Sequence, residues 1–194
     1  MRRTEIEGRT YEGDHLELER IADTEFFGCS FTGCAAIDCT FEGCSFTECT
    51  FTRCNVAQPI SSGSQLRYCT FEGCSLMGID WASWWTQGRL GSAFQGLHGC
   101  TLKYGIFASL TMRDLSFEGN KLLTCTFDRC DLKGASFSGC DLDGTEFLEC
   151  DLRRADLRGA SGYRASALRN NVVGARFSYP EALALLEGTG ALVE

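Results

Sequence analysis

Nowhere in its 194 residues does this sequence run apolar for the ~20 residues that a membrane-spanning helix needs. The opening MRRTEIEGRTYEGD has no apolar stretch of the signal-peptide kind, which predicts a cytoplasmic protein. Histidine is almost missing. His15 and His98 stand alone, too isolated to build a catalytic or metal-binding constellation, so no metal is expected. No glycine loop opens a helix with a lysine and no nucleophile elbow is present, so catalysis and a catalytic cofactor are not expected. A basic stripe is missing too. With a formal net charge of −8, direct nucleic-acid binding is an unfavourable reading.

What is there suffices for a core. Apolar residues make up 44% of the chain and charged residues 23%, the balance of a folded, soluble protein. The charge is uneven: residues 1–50 carry 11 acids against 4 bases and residues 101–150 carry 8 against 5. Thirteen cysteines would suggest a disulfide framework in a secreted chain, but the number is odd and no export signal accompanies it.

The spacing of those cysteines organises everything else. Residues 39–54 read CTFEGCSFTECTFTRC, with Cys, a small polar residue and Phe returning every five positions. Large apolar residues from Ile6 to Trp81 keep one five-residue phase, with Ala36 as a weak member, and those from Leu97 to Leu157 keep a second. All 13 Cys sit two positions before such a centre, and 11 of the 14 Phe are centres. Neither a strand, with its period of two, nor a helix, with 3.6, sustains that pattern. A chain that turns a corner every five residues does. It points two residues inward and three outward per side, and four sides close a coil of twenty. Glycines such as Gly28, Gly43 and Gly134 fall where the corners should be. Cysteines twenty apart, such as Cys29, Cys49 and Cys69, would stack in neighbouring coils. They would serve there as small buried apolar groups, although the spacing also falls within disulfide range.

Two stretches break the rhythm. AQPISSGSQ (57–65) loses its centres but keeps phase, as two degenerate sides or a small protruding loop. From Trp81 to Leu97 is sixteen residues, one more than three sides, so 82–96 holds either an irregular coil or a functional loop. In the second case Trp84, Trp85 and Arg89 become candidate contacts, since exposed Trp anchors interfaces. The tail differs in kind. Ser178-x-x-Glu181 reads as a capping box, Pro180 suits a first turn and Gly188 a stop, predicting a helix near 179–187. Leu183 and Leu186 could pack down on the last coil as a cap. Alternatively Tyr179, Pro180, Leu183, Leu185, Leu186, Leu192 and Val193 form the interface of a homodimer. The expected organisation is a solenoid over 1–161, irregular at 57–65 and 82–96, followed by a capping and dimerisation segment over 162–194.

The Cys/Ala–polar–Phe/Leu–x–x unit, as in ADLRG (155–159) and CDLDG (140–144), resembles the pentapeptide repeat family over about residues 6–161. That resemblance implies an all-β solenoid, a right-handed quadrilateral β-helix, here with a short C-terminal helix. Seven to eight coils at ~4.8 Å each would make a rod of roughly 35–40 Å, and two joined tail to tail about 70–80 Å. Outward acids recur along it: Glu25, Asp38, Glu42, Glu48, Glu72, Asp80, Asp114, Glu118, Asp128, Asp131, Asp141, Glu146, Asp151 and Asp156. They could present a complementary potential to a basic DNA-binding groove.

The segment Ser161–Glu194, with Asn170–Asn171 followed by GARFSYPEALALL, and the earlier CSLMGIDW (74–81), look like the family's branch of Qnr, albicidin-resistance and microcin-immunity proteins. This resemblance implies a dimeric DNA mimic on the DNA-binding saddle of DNA gyrase, and often of topoisomerase IV, that protects the enzyme from poisons of the cleaved complex. Arg153, Arg154, Arg158, Arg164 and Arg169 depart from the pattern, clustering where a mimic should be negative, with Asp151 and Asp156 as partial offsets. The rival expectation is a non-catalytic scaffold for another protein, its acids serving solubility.

Overall fold

The computed structural model describes residues 3–84 and 94–192. They fall into two units, Met1–Leu102 and Lys103–Glu194. In the first, short parallel strands stack on four sides of a coil. Thr4–Glu7, Thr24–Phe27, Ser45–Thr47 and Gln65–Arg67 form one side. Thr10–Glu12, Ser30–Thr32, Thr50–Thr52, Cys69–Glu72 and Phe94–His98 form the second. His15–Glu17, Ala35–Ile37, Asn55–Ala57 and Ser75–Met77 make the third, and Arg20–Ala22, Thr40–Glu42 and Ile60–Ser62 the fourth. Partners lie twenty residues apart, as in Phe26 with Phe46 and Phe31 with Phe51. The fold is thus the parallel β-solenoid that the five-residue spacing predicts.

In-register stacking puts like on like. The rings of Tyr11, Phe31, Phe51 and Phe71 form a ladder with successive centroids 4.9, 4.9 and 4.8 Å apart, the separation of neighbouring strands. The cysteines are all free thiols, buried except for the half-buried Cys34. They donate to carbonyl oxygens of the preceding coil, as Cys69 Sγ does to Phe46 O at 3.3 Å. Burial pushes the Cys125 and Cys140 thiols up to about 11, so both stay protonated near neutral pH. Where another residue takes the cysteine's place it keeps the same bonds. Ser64 Oγ accepts from Cys44 N at 2.9 Å, and the Asn170 carboxamide accepts from Cys150 N and donates to Phe147 O, both at 2.8 Å.

The stretch 57–65 is two ordinary sides: Ile60–Ser62 and Gln65–Arg67 pair in register with the coil before, and Pro59 is buried. No loop protrudes there. The second break is different. Phe71 pairs with Leu97, twenty-six residues on, with a register shift between Cys69 and Thr70, so six additional residues lie between them. Before the break, Trp81–Ser83 makes a 3-10 turn capped by the Asp80 carboxylate, which accepts from Ala82 N at 3.1 Å.

In the second unit strands are fewer. Ile106–Ala108, Thr126–Asp128 and Glu146–Leu148 stack on one side, and single bridges at twenty-residue spacing, such as Asp131 with Asp151, continue the others. Many corners here are tight turns in which the residue two before a centre donates back to the previous centre, as Ala135 N does to Leu132 O at 3.0 Å. The pairing passes residue 161 and reaches Asn171, paired with Asp151, and Arg176–Phe177, paired with Asp156–Leu157. The tail then forms a 3-10 helix, Glu181–Leu186. The expected capping box does not form. Pro180 holds the cap position without a side-chain bond, and the Ser178 hydroxyl instead accepts from Gly159 N at 3.1 Å. A short helix entered from a solenoid corner has its first N–H groups satisfied by that corner's own backbone, as Ala182 N is by Ser178 O at 2.9 Å.

The two interiors are filled differently. In the second unit the centres from Phe107 to Leu157 are large, and Phe107, Phe117, Leu122, Phe127, Leu132, Phe137 and Leu142 are wholly buried. In the first unit Phe31, Phe51 and Val56 are only half-buried although coils lie on either side of them. Their cavity is described below.

Among the described residues the corners after the centres Ile6 to Leu76 and Leu97 to Leu157 use a left-handed residue two past the centre, and side chains other than glycine occupy many of them, Leu18 (φ 56°) and Glu48 (φ 55°) among these. Such a conformation costs an L-residue roughly 1–2 kcal/mol. Leu18 is 76% exposed and has little packing to lose. Leu18→Gly should therefore stabilise the fold by about 0.5–1 kcal/mol in urea denaturation, the gain being reduced by glycine's greater freedom when unfolded. Gly162→Ala should do the opposite by roughly 2 kcal/mol, since φ is +77° and the new Cβ would lie 2.7 Å from Asp143 Cα.

Candidate protein-binding surface

The outward acids follow from the repeat, which leaves three of every five side chains outside, but the structure does not leave them all free. In the first unit Glu25 is paired with Arg3 at 2.5 Å and Glu42 with Arg20. Among the described residues no arginine or lysine bonds Asp38, Glu48, Glu72 or Asp80, all of them exposed. Asp38 and Glu48 stand on left-handed corners, where the side chain projects from the edge of the coil. The unit as a whole carries 13 acids against 7 bases.

In the second unit the balance is 13 acids against 11 bases, and neutralisation goes further. Asp128 meets Arg129 at 2.7 Å, Asp131 meets Arg113 at 2.6 Å and Glu146 meets Arg164 at 3.1 Å. Asp151 pairs with Arg153, and Asp156 with Arg158 at 2.6 Å. Asp114 and Glu118 remain exposed, Glu118 accepting a hydrogen bond from the Ser136 hydroxyl.

Several of these aspartates are also turn residues. The Asp131 and Asp141 carboxylates accept from the backbone N–H two residues on at 3.3 Å, and those of Asp151 and Asp156 do so at 3.1 Å. This closes the tight corner in the manner of an Asx-turn. The recurrent Asp before Leu is therefore explained by backbone chemistry before any partner is invoked. Of the arginine cluster, Arg153, Arg158 and Arg164 are held by carboxylates, whereas Arg154 and Arg169 have no ion pair among the described residues. The signal for this neutralisation was present in the sequence as Asp-x-Arg at 151–153 and 156–158.

Trp84 is not the exposed anchor that a loop at 82–96 would supply. It is 5% exposed and packs edge-on against Phe41 with centroids 5.3 Å apart, because its carbonyl, accepting from Leu66 N at 3.0 Å, ties it to the coil. The other two loop candidates, Trp85 and Arg89, lie outside the described residues, as does Val193 of the expected dimer interface.

The tail presents apolar surface. Leu183 and Leu186 do not pack down on the last coil; both are exposed, together with Tyr179, Pro180 and Leu192. Leu185 is half-buried, with its carbonyl accepting from Ala167 N at 3.0 Å. The register of the short helix explains this: docking is set by the Leu185 backbone, which turns Leu183 and Leu186 away. Leu168 and Val173 are exposed in the preceding turns.

The Arg158 guanidinium beside Asp156 holds its carboxyl below the usual range. A depressed folded pKa contributes stability that is present above the ordinary Asp value of about 3.9 and is lost as pH falls through the folded one. Asp156→Asn keeps an acceptor for the turn and loses only a surface ion pair, so the cost at pH 7 should stay under about 1 kcal/mol. Asp156→Ala loses the turn bond as well and should cost about 1 kcal/mol more. Urea denaturation at pH 7 and pH 3 checks both, the Asn variant losing less stability on acidification than the parent.

The pentapeptide repeats family model matches residues 24–58 and 124–159, with eight copies of the repeat. No curated protein sequence matches the chain. Among solved structures the chain is similar to QnrB1, a plasmid-mediated fluoroquinolone resistance protein, at 20% identity over 99% of this chain and 98% of that one, with a TM-score of 0.48. It is similar also to HetL of the cyanobacterium Nostoc, a pentapeptide repeat protein involved in heterocyst differentiation regulation, at 16% identity over 90% and 85% of the two chains, with a TM-score of 0.46. The two matched stretches carry pentapeptide repeats, and strand pairing continues their five-residue register on either side of them.

Proposed function

We propose that this protein binds a type II topoisomerase, DNA gyrase foremost and topoisomerase IV second, on the surface that holds DNA, and protects it from a poison of the cleaved complex. The observation that carries the reading is the set of exposed acids in the first unit that have no cationic partner among the described residues, Asp38, Glu48, Glu72 and Asp80 among them. Held on a rigid stack of coils with a repeat of ~4.8 Å, such acids offer a basic groove a fixed pattern of negative charge. Their density is well below the one charge per ~1.7 Å of duplex DNA, so they would steer and orient more than outcompete. The resemblance of GARFSYPEALALL to the topoisomerase-protecting branch supports the same partner. The pairing of Asp128, Asp131, Glu146, Asp151 and Asp156 with arginines makes these five the weaker contributors, and the contact falls mainly on the first unit. A topoisomerase partner places the protein in the cytoplasm and requires no catalysis of its own. The poison is a quinolone or a natural toxin of the same target.

The exposed Tyr179, Leu183, Leu186 and Leu192 support a homodimer through the tail. Apolar side chains of this size gain about 25 cal/mol for each Å² removed from water. A second copy offering the same surface is the simplest cover.

Two measurements test these readings. Purified gyrase with relaxed plasmid, ATP and a cleavage-trapping poison should show fewer cleaved complexes as the protein is titrated in, with supercoiling largely retained. Asp38→Asn, Glu48→Gln and Glu72→Gln together should weaken this protection about tenfold and lessen its salt dependence. No change in cleavage or supercoiling across several poisons and both enzymes would overturn the topoisomerase reading and favour a scaffold for another protein. Separately, light scattering should find a dimer that Leu183→Asp with Leu186→Asp converts to a monomer of 21.3 kDa; a variant still dimeric would move the interface elsewhere.

A further inference from the structure

The interior of the first unit is hollow. An apolar cavity of about 400 Å³ runs from the first coil, where Ile6, Tyr11, Leu16 and Ile21 line it, to Trp81 and Trp84. Its cause can be read from the stacking. On the third side Ala36 is paired between Leu16 and Val56, and on the fourth Ser61 is paired with Phe41. Each coil needs a large centre on all four sides to fill its middle, and here two successive coils each have a small residue on one of them. The half-burial of Phe31, Phe51 and Val56 between flanking coils is the same void seen from its walls.

The cavity opens at the first coil. Leu16, a centre, is 36% exposed. The inward positions that hold Cys29, Cys34 and Cys39 in the second coil are taken in the first by Arg9, Asp14 and Glu19, all exposed. Asp14 is the one charged residue on the lining. Within residues 3–20 six acids face three arginines, and all three arginines are engaged: Arg3 with Glu25, Arg20 with Glu42, and Arg9 over the Tyr11 ring at 5.1 Å. The mouth is therefore anionic. At the far end the Trp84 indole N–H is buried with no acceptor among the described residues.

We propose that this lumen is a binding site for a cationic amphiphile, a single hydrocarbon chain lying along the phenylalanine ladder with its ammonium headgroup at Asp14. The volume suits such a ligand, lying within the roughly 300–1,000 Å³ of small-molecule pockets. Apolar voids of this kind stay dry and take up apolar guests. An anionic chain is rejected at the mouth by Asp14 and the acids around it. The site needs no topoisomerase and stands or falls apart from the function proposed above.

The test uses the full chain with dodecyltrimethylammonium and dodecanoate, each below its micelle concentration, followed by calorimetry and tryptophan fluorescence. Dodecyltrimethylammonium should bind saturably at one per chain, raise Tm and change the emission of the tryptophans at the lumen floor, with dodecanoate at least tenfold weaker. Ala36→Leu, which fills the void, should raise the Tm of the free protein and weaken binding at least tenfold. Asp14→Asn, at an exposed position that leaves the lumen unchanged, should narrow the difference between the two headgroups to within about threefold. Dodecanoate binding as tightly as the cation would overturn the headgroup assignment, as would an unaltered preference in Asp14→Asn. Undiminished binding to a folded Ala36→Leu protein, or no saturable binding to the parent, would overturn the lumen itself. Should Ala36→Leu fail to fold, the parent's headgroup preference and the Asp14→Asn variant still decide.

Discussion

Hydrogen bonds between successive coils set every other feature of this protein. Each short side donates to and accepts from the same side one coil away, as Gly28 N does to Thr47 O and Thr50 N to Cys29 O, both at 2.9 Å. Because the partner within the regular coils is the equivalent residue twenty positions on, the chain has little freedom to drift there. Six additional residues are accommodated once, between Phe71 and Leu97, with a register shift, after which the inward pattern resumes in a new phase. The five-residue rhythm is thus the sequence's record of a backbone obliged to satisfy its polar groups against a copy of itself. The corner costs follow directly. Four corners per coil require four left-handed residues, and the chain accepts Leu18, Glu48 and Arg154 there because the coil-to-coil bonds over-determine the conformation.

Stacking in register also makes the interior a set of columns instead of a three-dimensional jigsaw. A column of phenylalanines packs ring on ring whether or not its neighbours are large, as Phe107, Phe127 and Phe147 do at 4.4 and 5.0 Å. Deficits therefore do not heal. In an ordinary core, neighbours relax into the space left by a small residue and recover part of its cost. Here the backbone that would have to move is pinned on both sides by parallel pairing, so Ala36 and Ser61 leave a void that persists through the stack. The second unit, with large centres from Phe107 to Leu157, shows that hollowness belongs to particular residues and not to the fold.

This separation decides what could be read before any coordinates. Phe31, Phe51 and Phe71 announce their column because both their identity and their spacing repeat, and the side at 57–65 remains a side because phase is conserved from Val56 to Leu66 even though its centres are lost. Trp84 could not be placed in the same way. The break after Trp81 leaves its phase undefined, and an aromatic side chain serves equally as an exposed anchor or as the floor of a core. Ser178 satisfied a local helix rule but was claimed by a long-range partner, Gly159 N, that no local rule can see. The outward acids were legible as outward. Their company was not, since Arg20 reaches Glu42 across 22 residues and Arg113 reaches Asp131 across 18, pairings that exist only once coils are stacked.

The same stacking turns a count of charges into a map. A carboxylate outside a coil can be a turn closer, a partner for an arginine in its own or the adjacent coil, or a free charge, and only the last is available to a protein that approaches from solution. Asp151 and Asp156 fill the first two roles at once, so their charge is compensated where it arises. Asp38 and Glu48 fill neither among the described residues: they stand on corners whose backbone bonds are made without them. A count of acids alone would rank the second unit equal to the first, 13 in each. What distinguishes the units is the number of bases, 7 against 11, and with it the share of acids satisfied within the chain, and both rank the first unit as the more strongly anionic surface.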